Sequence, residues 1–121
     1  MNRTIETEED IQIIKEFTLL PILLDMLARD IRELELYRDK IVYYHAVAYL
    51  KEIEQSVYAE LHTLKNKMRK NNIKILTTET STLGIDVEYK VRGYIHHFKM
   101  LRSLIKAELM TMLTKLRGRL K

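Results

Sequence analysis

Apolar residues recur every three or four positions along most of this chain, and this spacing constrains the fold more than any other feature. A first series comprises Ile13, Phe17, Leu20, Leu24, Leu27, Ile31 and Leu34. A second series comprises Ala46, Leu50, Ile53, Val57, Leu61, Leu64 and Met68. Such spacing places the apolar side chains on one face of a helix. The chain also has only 3 Gly and 1 Pro in 121 residues, too few for the many tight turns of a β-sandwich or barrel.

Capping residues and breakers set the expected limits of the first two helices. The first helix is predicted over about residues 8–36, where Thr7 and Asp10 have the spacing of a capping box. Pro21 lies inside it and predicts a kink, or alternatively a break near Thr18. The second helix is predicted over about residues 40–71, with Asp39 as its N-cap and with Asn71 and Asn72 at its end.

The periodicity changes after the second helix. Ile85, Val87, Tyr89 and Val91 alternate with charged residues, which indicates a strand. The β-branched segment 73–78 is its expected partner, so we predict a hairpin over about residues 73–91. A helix that begins near Thr82 is the alternative.

A third helical series follows Gly93 and predicts a helix over about residues 94–118. Its members are Tyr94, Phe98, Leu101, Ile105, Met112 and Leu116. The predicted fold is therefore mainly α, a single domain over residues 1–121. Three long amphipathic helices form a bundle, with a small β-hairpin between helices 2 and 3 in the order α-α-β-β-α.

Several apolar and tyrosine residues lie outside the helical series, and a thin three-helix bundle would not bury them all. The expected interface residues are Tyr43, Tyr49, Tyr58, Ile22, Leu23, Leu104, Met110 and Leu113. They predict a homo-oligomer, with a dimer favoured, or a protein partner. The most favoured function is that of an interaction or regulatory protein that acts through helical self-association or partner binding.

Charge is divided unevenly along the chain. Residues 1–60 hold 7 Lys/Arg and 13 Asp/Glu, whereas residues 61–121 hold 14 Lys/Arg and 4 Asp/Glu. The two halves could neutralise each other within the molecule or between two copies. Alternatively, the basic half could bind nucleic acid, with contacts from Lys65, Arg69, Lys99, Arg102 and Lys106. Three of these, Lys99, Arg102 and Lys106, would share one face of the third helix.

Motifs for catalysis, cofactors and metals are not found in the sequence. Cys is absent, and the four histidines lack the spacing of a zinc or di-iron motif. His96 and His97 are adjacent and would point in different directions on a helix. We therefore predict neither an enzyme nor a metal or cofactor site. The acidic N-terminus and the short apolar runs predict a cytoplasmic protein without a membrane segment.

Several short segments resemble small uncharacterised helical proteins of Bacillus-type spore-forming bacteria. These segments are Arg69-Lys70-Asn71-Asn72-Ile73-Lys74-Ile75, Tyr89, Gly93-Tyr94-Ile95-His96-His97, Leu20-Pro21-Ile22-Leu23 and Asp30-Ile31. In that pattern a basic helix end precedes a short strand, an aromatic strand and a helix start. The resemblance implies a bacterial helical protein and no particular activity.

Overall fold

The computed structural model describes residues 6–119 and has the order helix, helix, three strands, helix. The elements are α1 (Glu8–Glu35), α2 (Ile41–Lys70), β1 (Ile73–Thr80), β2 (Gly84–Val91), β3 (Tyr94–Leu101) and α3 (Arg102–Gly118). The prediction of a mainly helical protein is confirmed, and so is the order of its helices. The parts of the predicted domain at residues 1–5 and 120–121 lie outside the described residues.

The start of α1 has the predicted capping box. The amide of Asp10 donates to Thr7 Oγ1 at 3.1 Å, and the amide of Thr7 donates to Asp10 Oδ2 at 2.9 Å. The helix then continues through Pro21, so the alternative of a break near Thr18 is wrong. Pro21 is exposed, and the backbone hydrogen bond that its ring removes therefore lies on the solvent side of the helix.

The ends of α2 agree only partly with the sequence. The N-cap is Lys40 rather than Asp39, and no side chain caps the helix there. At the other end Asn72 has a left-handed φ of 54°. Asn tolerates this conformation better than most residues, and it turns the chain from α2 into β1.

The segment 94–101 is a strand, which corrects the predicted start of the third helix. Arg92 and Gly93 both have positive φ, at 49° and 92°, and form a two-residue turn between β2 and β3. The predicted hairpin is therefore part of a three-stranded antiparallel sheet in the order β1-β2-β3. Because β3 takes eight residues from the predicted helix, α3 has only 17 residues and begins at Arg102.

One connected hydrophobic core includes residues from all six elements. The inward face of β2 contributes Ile85, Val87, Tyr89 and Val91, as the alternation predicted. On the helical side, α3 packs on the first half of α1 and the second half of α2. Glu108 lies 3.3 Å from Lys15, and Arg119 lies 3.2 Å from Glu60.

The two long helices continue beyond the level reached by α3. Leu20 of α1, Glu60 of α2 and Leu116 of α3 line one cleft, and α3 ends at Gly118. The segment 25–56, which includes the connection between the two helices, lies past this cleft. We call this segment the projecting hairpin. Its helices contact mainly each other, and Lys51 lies 3.4 Å from Glu35.

Candidate functional sites

The connection between α1 and α2 exposes an unusual amount of apolar surface. Its large side chains are each at least 38% exposed: Leu36, Tyr37, Ile41, Val42, Tyr43 and Tyr44. We call these six residues the apolar tip. At about 200 Å² for each fully exposed side chain, they present on the order of 700 Å². Exposed apolar area of this size concentrated in one short connection is typical of an interaction site.

Part of the apolar tip is held in a defined arrangement. The rings of Tyr37 and Tyr43 meet edge to face, with their centroids 5.9 Å apart. The ammonium group of Lys40 lies 5.8 Å from the first ring centroid and 5.6 Å from the second. These contacts favour one arrangement of the two rings, which lowers the entropy that binding must overcome.

The predicted interface residues are distributed between the surface and the core. Tyr43, Tyr49, Tyr58, Leu104 and Met110 are exposed. Leu23 is buried in the core, whereas Ile22 and Leu113 are partly buried and pack against it. The structure therefore brings only Tyr43 of this set into the apolar tip. Leu36, Tyr37 and Ile41 were not expected at an interface, although their position around the expected helix connection was visible.

A polar cluster joins the start of α1 to the sheet. The hydroxyl of Tyr89 donates a hydrogen bond to the Glu6 carboxylate, and His96 stacks on Tyr89 with ring centroids 5.8 Å apart. Arg92 Nη2 lies 2.6 Å from Asp10 Oδ2, and its Nη1 donates to the carbonyl of Asn71 at 3.1 Å. This cluster ties α1, α2 and the sheet together at one end of the molecule.

Burial and hydrogen bonding shift the pKa values of two groups in this cluster. Burial tends to raise the pKa of Asp10, but hydrogen bonds from Arg92 and Thr7 outweigh it and leave the pKa below 3.8. Burial and the neighbouring Glu6 carboxylate raise the pKa of Tyr89 well above its ordinary value. Asp10 is therefore an anion and Tyr89 a neutral phenol at pH 7, as a structural network of this kind requires.

No signal in the sequence could have identified this cluster, because its partners are far apart along the chain. Asp10 and Arg92 are separated by 82 residues, and Glu6 and Tyr89 by 83. Only the capping role of Asp10 was visible from its neighbours. His96 and His97 lie on β3 and not on a helix, with His97 Nε2 at 3.4 Å from Glu88.

The five residues predicted to contact nucleic acid do not form one face. Lys99 is on β3 rather than on a helix, and its Nζ lies 3.9 Å from Asp86 across the sheet. Arg102 and Lys106 are exposed on α3. Lys65 and Arg69 instead border a groove between α2 and β1, together with Lys74. The predicted helical stripe of Lys99, Arg102 and Lys106 is therefore wrong, because its first member belongs to a strand.

Comparison with known families gives the chain an assignment. The model of the YhjD protein family matches residues 5–121. The chain belongs to this family. Comparisons with curated proteins and with solved structures found no match. The predicted relationship to a small family is confirmed, and an origin in Bacillus-type bacteria stays a prediction.

Two further observations describe this member of the YhjD family. Within residues 6–119, no cluster of three or more His, Asp or Glu side chains could hold a metal ion. In the same range, no helix has the length and apolar character needed to cross a bilayer.

Proposed function

We propose that this protein is a non-enzymatic interaction or regulatory protein that acts by binding a second copy of itself through the apolar tip. The exposed area at the tip is the observation that carries the proposal. Stable interfaces bury about 800 Å² on each partner. The tip presents about 700 Å², which is close to that area. Two copies related by a two-fold axis would bury the same surface on each.

The composition of the tip suits association driven by burial of apolar surface. Leu36, Ile41 and Val42 are each at least 73% exposed. Tyrosine adds large apolar area together with a hydroxyl that can remain hydrated at the rim. A helix bundle would then be completed between two projecting hairpins rather than within one chain. We expect the dimer to act in the cytoplasm.

The test is the solution mass of the protein, measured by light scattering in about 50 mM and about 500 mM salt, a range over which charge interactions become screened. We expect a dimer at both salt concentrations, because burial of apolar surface does not weaken with salt. A monomer at both salt concentrations, with the protein at roughly 200 μM, would overturn the proposal. A dissociation constant of that size corresponds to an association free energy of only about −5 kcal/mol.

A matched pair of variants locates the interface. Ile41 and Leu83 are both 78% exposed, but Leu83 lies in the turn between β1 and β2. We expect Ile41→Glu to give a monomer, whereas Leu83→Glu remains a dimer. Glu is favourable at a helix N-terminus, so Ile41→Glu leaves α2 intact, which circular dichroism checks. A dimer of Ile41→Glu as stable as the unsubstituted dimer would exclude the tip as the interface.

Nucleic-acid binding is the alternative function, and the basic residues support it less strongly. Lys99 lies against Asp86, and only Lys65 and Arg69 of the predicted set border a common groove. The experiment on this groove in the following section distinguishes nucleic acid from another anionic partner.

A further inference from the structure

The groove between α2 and β1 combines an apolar floor with a basic rim. Phe17, Met68, Ile73 and Ile75 form the floor, and each is wholly or partly buried against the core. Ile73 and Ile75 stand opposite Val91 and Tyr89 in the sheet, so their side chains point to its inner face. We call this feature the basic groove.

Three cations border the basic groove without a carboxylate to neutralise them. Lys65 and Arg69 are one helical turn apart on α2, and Lys74 is on β1. Within residues 6–119 no carboxylate oxygen lies within 4.0 Å of any of the three. The groove is lined by no Asp or Glu of the described chain. It therefore attracts an anionic ligand.

The strand that forms one wall of the basic groove is at the edge of the sheet. β1 pairs only with β2 among the described strands, so its other side offers free backbone amide and carbonyl groups. The pairing register shifts between Ile75 and Thr77, where a bulge disturbs the regular strand. The regular free edge beside the groove is thus short and covers Ile73 to Ile75.

We propose that the basic groove binds an acidic, extended peptide segment of a partner protein, which pairs with β1 as an added strand. In an extended peptide the side chains alternate between two sides. One set would point to the inner side of the sheet, toward the apolar floor and toward Lys65 and Arg69 of α2. Acidic residues of the other set would lie beside Lys74, which alternates with Ile73 and Ile75 and so points to the outer side. Main-chain hydrogen bonds give affinity in this mode of recognition, while pockets and charges give specificity.

A peptide suits the basic groove better than a single-stranded nucleic acid does. Proteins that bind single strands stack the bases on several exposed aromatic rings. Among residues 6–119, Phe17 is the one aromatic residue that lines the groove, and it is partly buried against the core. An apolar floor beside a free strand edge instead matches the apolar side chains and the backbone of a peptide.

The test uses fluorescence anisotropy with a labelled nine-residue peptide of alternating Glu and Val. A peptide of alternating Glu and Ser has the same charge but no apolar side chains. We expect the Glu/Val peptide to bind at least tenfold more tightly, since burial of a single Val is worth about 1.5 kcal/mol or more. Equal binding of both peptides would mean that only charge is recognised and would overturn the proposal.

Two double variants of the protein provide the matched comparison. The first variant combines Lys65→Glu with Arg69→Glu and reverses the charge of the groove rim. The control combines Lys67→Glu with Lys70→Glu, which makes the same change of charge at the same end of α2 but outside the groove. We expect the first to weaken the Glu/Val peptide at least tenfold and the second to weaken it less than threefold, because exposed charges act mainly at short range. An equal loss in both would contradict a specific site.

Amide hydrogen exchange and competition complete the test. When the Glu/Val peptide binds, the free-edge amides between Ile73 and Ile75 should exchange more slowly, because added-strand pairing protects them. No added protection there would overturn strand addition. A 20-nucleotide single-stranded RNA that binds more tightly than the peptide, and loses affinity in the rim variant, would replace the peptide with nucleic acid as the ligand.

Discussion

Arg92 shows how one side chain can stabilise an unfavourable backbone conformation. Its φ of 49° is uncommon for a residue with a side chain, and such strain costs about 1–3 kcal/mol. The same residue donates its backbone amide to the Asn72 carbonyl at 2.8 Å and its guanidinium to Asp10 and Asn71. These bonds offset the strain, and they supply the counterion for a carboxylate that is only 2% exposed.

Asp10 should make folding depend on pH in the acidic range. Its pKa in the folded protein lies below the ordinary value of 3.8, so the anion contributes stability above about pH 4. That contribution is lost as the pH falls through 3.8 toward the folded pKa. We expect Asp10→Asn to lower the free energy of unfolding by about 2 kcal/mol at pH 7, and by less near pH 2.

Urea unfolding at pH 7 and near pH 2 measures this difference, and Asp30→Asn is its control. Asp30 is an exposed carboxylate on the same helix, so its replacement should change stability by less than about 0.5 kcal/mol. If Asp10→Asn were equally destabilising at both pH values, the ion pair with Arg92 would not be the source of the stability.

Among the elements, the helical hairpin could be read from the sequence and the third strand could not. α1 and α2 each keep one apolar spacing over 28 and 30 residues, and capping residues mark the start of α1. In the segment 94–101, Tyr94, Phe98 and Leu101 have helical spacing by coincidence, and short segments of this kind fit a strand equally well. The turn at Arg92 and Gly93 was also hard to recognise, because Asn or Asp more commonly precedes Gly there.

Gly84 is the glycine on which the sheet depends most. Its φ is +154°, and a Cβ atom at this position would overlap the backbone carbonyl oxygen of Met100 on β3. We expect Gly84→Ala to destabilise the protein by about 3 kcal/mol, because strand β2 or β3 must move. Gly118→Ala is the control, since nothing lies within 4 Å of that position, and it should change stability by less than about 0.5 kcal/mol.

Thermal unfolding followed by circular dichroism compares these two variants with the unsubstituted protein. A drop in melting temperature for Gly84→Ala of several degrees or more is expected for a domain of this size. Equal melting temperatures for the two variants would show that the close approach of Gly84 to β3 is not maintained in solution.

At the scale of the whole molecule, the acidic and basic halves of the sequence partly neutralise each other in the fold. Arg92 contacts Asp10, and Arg119 contacts Glu60. This observation agrees with the intramolecular interpretation of the charge division. The cations of the basic groove are not part of these ion pairs, so the groove remains a positive surface. The apolar tip lies at the other end of the long helices. The sequence could predict that exposed apolar residues exist, and six of them surround the connection between α1 and α2.

The projecting hairpin should be the part of the molecule whose stability depends on protein concentration. α1 and α2 contact mainly each other, and residues 41–46 are mostly exposed, so the amides of residues 41–50 should exchange faster than those of residues 57–68 in a dilute sample. At high concentration, we expect exchange in residues 41–50 to slow as dimers form, while residues 57–68 stay unchanged.

Hydrogen exchange at about 2 μM and 200 μM tests this expectation. Because the partner is another copy of the chain, a hundredfold rise in concentration lowers the monomer fraction at most about tenfold, which adds up to about 1.4 kcal/mol of protection. Ile41→Glu is the internal control, because its exchange in residues 41–50 should not respond to concentration. Slow exchange of residues 41–50 at both concentrations would mean that the hairpin is stable without a partner.

The separation of 82 residues between Asp10 and Arg92 has a consequence for the newly made chain. At about 5–20 residues per second, the ribosome delivers Arg92 some 4–16 seconds after Asp10. Both helices of the hairpin are synthesised before then, because α2 ends at Lys70. The apolar tip is therefore synthesised before the sheet that anchors the start of α1. We expect two chains growing on neighbouring ribosomes to pair through their hairpins while each is still unfinished.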